Sequence, residues 1–448
     1  MVLGVLPVAA AQTWTLRIVC YNIEDDIDGA TTPLPGLIAP PSNTNNVQAG
    51  GVLEGIGEEI LGSDPAQPLD VLALEETTSN PITVAPIVSG LNSFYGVAGM
   101  YSNSAYQAVE SGDVVTNGNG PNALVYNTKT LQLLASVPVD PSGGTNNLGS
   151  KSGEYREVMR YELAPAGMTP TVTNEFYIYV SHYKSSASGV EATNELYRQE
   201  EATIIRNDEA NNLSANARVL YVGDYNITTS GEASYQTILS NTAPNGFHQG
   251  QGIDPLNVTD AMNIDWGTNT APPSILAMET ESATDLRYRD DLQVMTTNVY
   301  FGVGGGLALV PGTYHVFGNN GTTPYYGSVN SGSDTALNSD LESGAPISAL
   351  QLYLDLTDAS DHLPVVADYT IPITVPAPVF QSVTKTGATA KFTWSAMVNA
   401  VYQLQYRTNL AQGNWSNLDS TITATNAVMS ASDSIGPDPQ RFYRLLVP

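Results

Sequence analysis

The first 370 residues contain short, continuous apolar runs of the kind that form buried strands. They occur at Arg17–Tyr21, Asp70–Leu74, Phe176–Ser181 and Arg218–Val222. Strands that are buried on both faces read as continuous apolar runs, whereas strands with one wet face alternate with period two. These runs therefore predict strands that lie inside a layered core.

Longer segments between these runs show a different period. Val47–Leu61 and Val190–Asn211 place apolar residues at helical spacing, with polar residues between them. Strands that alternate with helices predict an α/β architecture. The stretch Gly302–Gly344 is rich in Gly, Asn and Ser, so it predicts long loops with short strands at most.

The pattern changes again after a proline-rich segment at 371–378, which predicts an extended linker without helix or central strand. Residues 379–448 alternate with period two between Asn, Gly and Ser clusters, which predicts a small antiparallel β-sandwich. Trp394 and Tyr402 are its expected core aromatics. This part resembles the fibronectin-type-III-like modules of secreted bacterial enzymes. Both a binding or anchoring role and a passive stabilising role stay open.

The charge of the chain is strongly negative and unevenly distributed. Of 448 residues, 44 are acidic and 16 are basic, which gives −28. The part after Ala377 has five basic and three acidic residues, so it is +2 and the rest is −30. The 42% hydrophobic content excludes a disordered acidic tail. The acidic surface excludes a broad basic nucleic-acid-binding face, so phosphate would need a cation or a few placed basic side chains.

The N-terminus and the cysteine content bear on the compartment. Residues 1–12 are apolar and end in Ala9-Ala10-Ala11-Gln12, which predicts a signal-peptide remnant rather than a strand. The chain has no apolar stretch of the roughly 18 residues that a membrane span needs. Cys20, the single cysteine, excludes an internal disulfide and lies in an apolar run, as a buried small hydrophobe does. We expect a secreted, extracellular or cell-surface protein.

Polar residues follow the apolar runs at the points where they end. Asn22, Glu76, His182 and Asp224 each stand at such an end, and His362 precedes the late run Val365–Ala367. Each one alone is more typical of a turn or a hydrogen-bonded wall residue. As a set they are expected to converge on one rim of the sheets, where α/β scaffolds place their sites.

In chain order, the motifs YNI, LEE, SHYKS, GDYN and SDHLPV resemble the endonuclease/exonuclease/phosphatase superfamily, which includes deoxyribonuclease-I-like enzymes. The resemblance covers residues 13–370. It implies a four-layered α/β/β/α sandwich, followed here by the small all-β sandwich domain. It also implies a metal-dependent hydrolase of phosphoesters.

The resemblance implies a role for each matching residue. Glu76 is implied as the principal metal ligand, with Asn22 and Asp361 beside it. The catalytic residues implied are His182, Asp224, Asn226, Asp291 and His362; among them, Asp224 acts on the attacking water, and Asn226 and His182 contact the phosphate. Mg²⁺ is the expected cofactor because it prefers oxygen ligands, with Mn²⁺ as an alternative and Ca²⁺ as an additional structural ion.

Three positions leave alternatives open at this stage. Asp291 is the expected carboxylate partner of His362, and Asp290 is the alternative, since a one-residue slip changes the face of a strand. Arg156 is either a substrate-phosphate ligand or a surface ion pair. The superfamily usually has Gln-Glu where this chain has Glu75-Glu76, and we expect Glu75 to point away into the sheet.

We expect a secreted nuclease that cleaves phosphodiesters by in-line attack of water. One alternative is a phospholipid phosphodiesterase or small-molecule phosphatase, in which Val299–Phe301 and Leu307–Val310, followed by Tyr325-Tyr326, form an exposed apolar hairpin that touches a membrane; the competing interpretation is internal packing. Another alternative is a non-catalytic structural or adhesive protein that retains the fold, with self-assembly left open. The acidic cluster Glu24–Gly29 fails the EF-hand pattern because its twelfth position is Pro35.

Overall fold

The structure is a computed structural model. It describes residues 10–24, 49–62, 65–106, 121–139, 157–186, 189–227, 229–257, 276–411, 413–436, 438 and 440–448. Arg156, residues 1–9, and Asp25 to Gly29 of the acidic cluster lie outside the described residues.

The elements alternate between strands and helices up to residue 375. The strands are β1 (Ala10–Asn22), β2 (Val71–Glu75), β3 (Tyr101–Asn103), β4 (Ala123–Asn127), β5 (Leu131–Pro138), β6 (Met159–Pro165), β7 (Phe176–His182), β8 (Val219–Asp224), β9 (Gly252–Ile253), β10 (Asp291–Thr296), β11 (Ala308–Leu309), β12 (His315–Val316) and β13 (Val365–Val375). The helices are α1 (Ala49–Gly57), α2 (Ala85–Phe94), α3 (Glu191–Asn212), α4 (Ala233–Leu239), α5 (Thr297–Tyr300), α6 (Ala336–Asp340) and α7 (Ala349–Ala359), and a π-helical turn (Asn80–Val84) precedes α2.

These strands form two sheets. The first has the order β11-β13-β1-β2-β4-β3, with β12 also on β13, and the second has the order β5-β6-β7-β8-β10-β9. The pairs β1–β2 and β7–β8 are parallel, and β10 is antiparallel to β8. The carboxyl ends of β1 and β2 therefore meet at one edge, and those of β7 and β8 meet the start of β10 at another.

The two sheets pack against each other and each has helices on its outer face. β2 contacts β7 and β8, and α1 contacts α2 and α7, while α3 contacts α4. Alternate residues of β2 divide between the layers: Leu72 and Leu74 join the core under α1, α2 and α7. Gln293 on β10 donates to the Ile18 and Val365 carbonyls across the sheet interface, at 3.0 and 2.7 Å. The predicted four-layered α/β/β/α sandwich is confirmed.

Both helices predicted from spacing are present. Val47–Leu61 contains α1, and Val190–Asn211 contains α3 almost to the residue. The glycine-rich stretch 302–344 is mostly loop, with the short β11, β12 and α6. Cys20 is fully buried, as expected of a small core residue.

The chain divides into two compact units, and the division differs from the predicted one at the N-terminal side. One unit contains Thr15–Ala164 and Pro170–Ile371; the other contains residues up to Trp14, Pro165–Thr169 and Pro372–Pro448. No pattern in the sequence predicted that the short segment Pro165–Thr169 belongs with the C-terminal part. The composition change near residue 371 does coincide with the break between the units.

Two segments expected to lack strand structure form strands. β13 runs through Pro372 to Val375, although 371–378 was expected to be a linker. β11 pairs only as far as Thr370, so Pro372, which has no N–H, lies beyond that ladder and breaks no bond there. β1 starts at Ala10, so Ala10–Gln12, which were expected not to form a strand, are part of one.

The C-terminal part is all-β. Its strands are β14 (Phe380–Thr386), β15 (Thr389–Ser395), β16 (Val401–Arg407), β17 (Ser416–Asn417), β18 (Ile422–Thr423), β19 (Val428–Ser434) and β20 (Phe442–Leu446). One sheet has the order β14-β15-β19 and the other is centred on β16, which pairs with β17, β18 and β20. Aromatic rings join the two sheets, with Phe392 and Tyr443 4.5 Å apart and Trp394 and Tyr402 6.2 Å apart.

Candidate functional site

The strand ends bring the predicted polar residues to one place. Asp224, the last residue of β8, is paired in register with His182 at the end of β7 and with Asp291 at the start of β10. Asn22 ends β1 beside Glu75 at the end of β2. Parallel pairing thus aligns the carboxyl ends, and antiparallel pairing adds the amino end of β10.

Glu76, His182 and Asp224 form a buried acidic group. The ligand atoms of all three lie within 4.8 Å of one another. His182 Nε2 is 3.4 Å from Glu76 Oε1 and 3.2 Å from Asp224 Oδ2. Two buried carboxylates repel each other unless a positive charge lies between them. This donor set therefore fits a divalent cation, whose charge would offset that repulsion.

The orientation of Asn22 differs from the predicted role of metal ligand. Its amide nitrogen donates to Asp224 Oδ2 at 3.1 Å, and its amide oxygen accepts from the Glu24 backbone N–H at 3.1 Å. A cation needs the oxygen, which here is turned toward the backbone. In this arrangement Asn22 positions Asp224.

His362 and Asp291 form a buried dyad. His362 Nδ1 donates to Asp291 Oδ2 at 2.7 Å, so the ring is held with Nε2 pointing away from Asp291. Burial opposes the charged ring, but the charges of Asp291 and Asp361 outweigh it and raise the pKa of His362 well above its ordinary value. Burial raises the pKa of Asp291 to about 6, against the lowering effect of His362.

The dyad meets the acidic group through His362 Nε2. This atom is 3.9 Å from Asp224 Oδ2 and 3.6 Å from Asp361 Oδ1. Asp361 belongs to a second group, with Glu281 and His362, whose ligand atoms also lie within 4.8 Å of one another. The predicted ligand Asp361 is therefore grouped with Glu281 among the described residues, and not with Glu76.

Asp290 does not partner His362. Its side chain hydrogen-bonds Glu281, and burial followed by that neighbouring carboxyl raises the pKa of Asp290 well above its usual range. Asp290 and Asp291 both donate their backbone N–H groups to Thr280 Oγ1, at 3.0 Å each. The choice between the two aspartates that the sequence left open therefore falls on Asp291.

Unusual backbone conformations set the directions of the Glu76 and Asn226 side chains. Glu76 and Asn226 have φ values of 53° and 48°, which non-glycine residues rarely adopt. Asn226 donates its N–H to Asp224 Oδ1 at 2.9 Å and its side-chain amide to the Tyr183 carbonyl at 3.2 Å. One hydrogen of the Asn226 side-chain amide is thus bonded to the Tyr183 carbonyl. The second hydrogen of that amide can donate a hydrogen bond to a phosphate oxygen.

Glu75 faces the interior of the sheet, as expected. It is fully buried, and both of its carboxylate oxygens are 3.7 Å from Cys20 Sγ. Burial, and then the charges of Asp291 and Asp224, raise the pKa of Glu75 well above its usual range. Glu75 therefore packs in the sheet interior, and only Glu76 of the adjacent pair joins His182 and Asp224.

Three contributors to the site were not predicted as site residues from the sequence. Glu281 forms backbone bridges to Tyr288 on one side and His362 on the other. Thr280 holds the start of β10, as described above. Ser360 donates to the Asn22 carbonyl at 2.8 Å and accepts from the His362 N–H at 3.0 Å, which ties the two motifs together. Only Ser360 lay within a recognised motif.

Other predicted features lie away from this site. In the apolar hairpin, Val299, Leu307 and Leu309 are buried, while Phe301 is 63% exposed. The hairpin borders a cavity of about 460 Å³ lined by Leu256, Tyr300 and Leu309 among others. α5 follows the far end of β10 from Asp291, so this cavity is not where the polar groups meet. Among the described residues no helix is long and apolar enough to cross a membrane.

Comparison with known proteins finds similarity in structure alone. No family model and no curated protein matches the sequence. The human Nocturnin catalytic domain with bound sulfate anion has a TM-score of 0.41 at 15% identity, covering 81% of this chain and 97% of that chain. ANGEL2, a 2′,3′-cyclic phosphatase in complex with adenosine-2′,3′-vanadate, has a TM-score of 0.42 at 14% identity, covering 82% of this chain and 99% of that chain. An endonuclease/exonuclease/phosphatase from Beutenbergia cavernae has a TM-score of 0.35 at 13% identity, covering 95% of this chain and 94% of that chain.

Proposed function

We propose that residues 13–370 form a metal-dependent phosphoester hydrolase of the endonuclease/exonuclease/phosphatase superfamily, acting as a secreted nuclease. One observation supports this most directly. The His362–Asp291 dyad points its Nε2 atom at Asp224, which itself lies in the buried group with Glu76 and His182. A dyad that can move a proton therefore adjoins a donor set suited to a divalent cation.

Glu76 and Asp224 would hold the cation, with His182 at the edge of the donor set. When bound, Mg²⁺ or Mn²⁺ would neutralise phosphate charge and polarise phosphorus toward attack. Asn22 keeps Asp224 in place through its amide nitrogen. Because the carboxylates are buried, their positions are fixed before substrate arrives, which lowers the cost of orientation.

The remaining residues move the proton and hold the phosphate. A water attacks phosphorus in line and gives one proton to Asp224, while the bond to the ester oxygen breaks and its electron pair leaves with that oxygen, which takes a proton from solvent. The His362 imidazolium, held by Asp291, donates from Nε2 to a phosphate oxygen and stabilises the charge that develops there. The second side-chain amide hydrogen of Asn226 would also donate a hydrogen bond to a phosphate oxygen.

Nucleic acid is the substrate class we favour, because extracellular DNA and RNA are the commonest phosphodiesters outside a bacterial cell. The charge of −30 on the first 377 residues argues against long duplex contacts and for a small contact area. Phe301 and Val303 of the apolar hairpin are exposed, but the hairpin follows the end of β10 opposite Asp291, so it gives little support to a lipid substrate at the proposed site.

The test is a substrate panel with plasmid DNA, RNA, sphingomyelin and methyl p-nitrophenyl phosphate, in Mg²⁺ or Mn²⁺ and then in EDTA. We expect EDTA-sensitive cleavage of a nucleic acid and of the small diester. Cleavage of sphingomyelin alone would replace the nuclease with a lipid phosphodiesterase. Cleavage that persists in EDTA would contradict the metal-dependent mechanism, and the absence of any cleavage would favour a non-catalytic role.

Export and the nature of the C-terminal part are further parts of the proposal. The apolar N-terminus and the low lysine and arginine content support secretion. Two sheets joined by aromatic pairs support a fibronectin-type-III-like module. Fractionation of the native host, with N-terminal sequencing of the protein recovered from the medium, tests the first. Its presence only inside the cell would contradict export.

A further inference from the structure

In the C-terminal unit, two arginines flank one tryptophan. The Arg407 guanidinium lies 4.6 Å from the Trp415 ring centroid, and that of Arg444 lies 4.5 Å from the same centroid. All three side chains are partly exposed. Arg444 also donates to Gln405 Oε1 at 2.7 Å, which fixes its direction. We call these three residues the arginine–tryptophan cluster.

No carboxylate balances these two arginines. Of the unit's three aspartates in 379–448, Asp433 and Asp438 pair with Arg441 at 2.6 and 2.8 Å. Among the described residues, neither Arg407 nor Arg444 has a carboxylate within 4.0 Å, and the Arg407 Nε is buried without a hydrogen-bond partner. Burial and then the charge of Arg407 lower the pKa of Arg444. Two like charges are thus held close together, which costs free energy unless an anion is present.

The strand register explains why the charges share a face. Gln405 on β16 stands directly opposite Arg444 on β20, and Arg407 lies two residues along β16. Side chains two apart in a strand point to the same face. The guanidinium groups of Arg407 and Arg444 both stack on the Trp415 ring, so little of that ring is open to an aromatic ligand. The groups of the cluster that can bind a ligand are the forked N–H donors of the two arginines. Such forks match the oxygens of phosphate groups.

We propose that the arginine–tryptophan cluster binds the phosphate backbone of single-stranded nucleic acid. The unit that carries it is +2 in a chain of −28, so an extended polyanion is attracted here while the rest of the chain repels it. The choice of nucleic acid among polyanions rests on the proposed function. The anion site itself does not.

The test is fluorescence anisotropy of a labelled single-stranded oligonucleotide with the full chain in EDTA, at 20 to 200 mM salt. The double variant R407Q/R444Q should bind at least about tenfold more weakly. Its slope of log affinity against log salt should be shallower by about 1.4, from two phosphates at about 0.7 each. R444Q alone should lower the slope by about 0.7, and it decides the matter if the double variant does not fold.

The matched control is K385Q/K391Q, which removes the same charge from β14 and β15, in the other sheet. It should bind within about twofold of the parent. Equal losses in both double variants would overturn the proposal, because general attraction would then suffice. Absence of binding, or tighter binding of an acidic polysaccharide, would also overturn it. Because binding is measured in EDTA and hydrolysis in Mg²⁺, failure of the catalytic proposal remains distinguishable from failure of the anion site.

Discussion

Glu75 and Glu76 are adjacent carboxylates in opposite surroundings. Glu75 ends β2 and packs against Cys20 inside the sheet, whereas Glu76 takes a positive φ and joins His182 and Asp224. The change of backbone conformation between them separates a buried core carboxyl from one that joins the proposed ligand group. Strained conformations of this kind persist only where the surrounding structure holds them, and they cluster at functional sites.

Asp291 should act through His362 rather than on the substrate. Asp291→Asn replaces the acceptor of the Nδ1 hydrogen bond, so the ring loses its fixed tautomer. We expect kcat to fall by about 10- to 100-fold with KM little changed, and the pH profile of kcat to shift. The control is His248→Ala, an exposed histidine outside the site. Equal effects of both substitutions would contradict the dyad.

Glu279 offers a stability test that is independent of catalysis. It is fully buried, both of its carboxylate oxygens lack a hydrogen-bond partner among the described residues, and burial raises its pKa to about 8. A raised pKa means that its contribution to stability is complete below about 4.3, the unfolded pKa, and is lost as the pH rises through about 8.

Glu279→Gln removes this titration. We expect the variant to be more stable than the parent by about 1–3 kcal/mol at pH 9 and nearly equal to it at pH 5. Urea unfolding at the two pH values measures the difference. A constant difference at both would show that the carboxylate is not titrating as described.

At the scale of elements, the sequence predicted β1, β2, β7 and β8 from continuous apolar runs and α1 and α3 from helical spacing, whereas β3 to β6, α2 and α7 were not predicted. It also predicted which strand ends would carry the site, because parallel pairing places carboxyl ends at one edge. Glu281 and Thr280 could not be predicted, since they lie in a segment without strand or helix period and reach His362 by a long-range bridge. The continuation of β13 through Pro372 could not be predicted either, because it depends on where the neighbouring strand β11 ends, and that is set by the tertiary structure.

The packing of strands β7 and β8 requires glycine at position 223. It has φ of 135°, and a Cβ there would lie 1.8 Å from the Ser181 carbonyl oxygen on β7. Gly223→Ala should destabilise the protein by about 3 kcal/mol or prevent folding. Gly231→Ala is the control, because its Cβ would meet nothing closer than 3.6 Å. Equal unfolding midpoints in urea would contradict the close approach of β7 and β8.

At the scale of the whole molecule, acidity and burial act together on stability. Besides Glu279, burial raises the pKa of Glu58, Asp70 and Glu209 to about 7 and that of Asp355 to about 6. Each of these groups stabilises the fold when protonated, and its contribution is lost as the pH rises through these values. Self-repulsion within a chain of −28 acts in the same direction.

We therefore expect the melting temperature to rise as the pH falls from 8 to 5.5. Differential scanning calorimetry measures it, and a parallel series at about 0.5 M NaCl separates the two causes, since salt screens surface charges far more than buried ones. A trend that persists in salt indicates the buried carboxyls. A flat profile at both ionic strengths would contradict their raised pKa values.

The central claim is that Glu76 belongs to a cation-binding catalytic group, and its neighbour provides the control. The measurement is hydrolysis of methyl p-nitrophenyl phosphate against Mg²⁺ concentration for the parent, Glu76→Gln and Glu75→Gln. We predict that Glu76→Gln lowers kcat/KM by about 10²-fold or more and raises the Mg²⁺ requirement. Glu75→Gln should stay close to the parent, because the Glu75 side chain packs against Cys20 and is not part of the group of Glu76, His182 and Asp224. Equal activity of the two variants, or activity independent of the metal, would contradict the account.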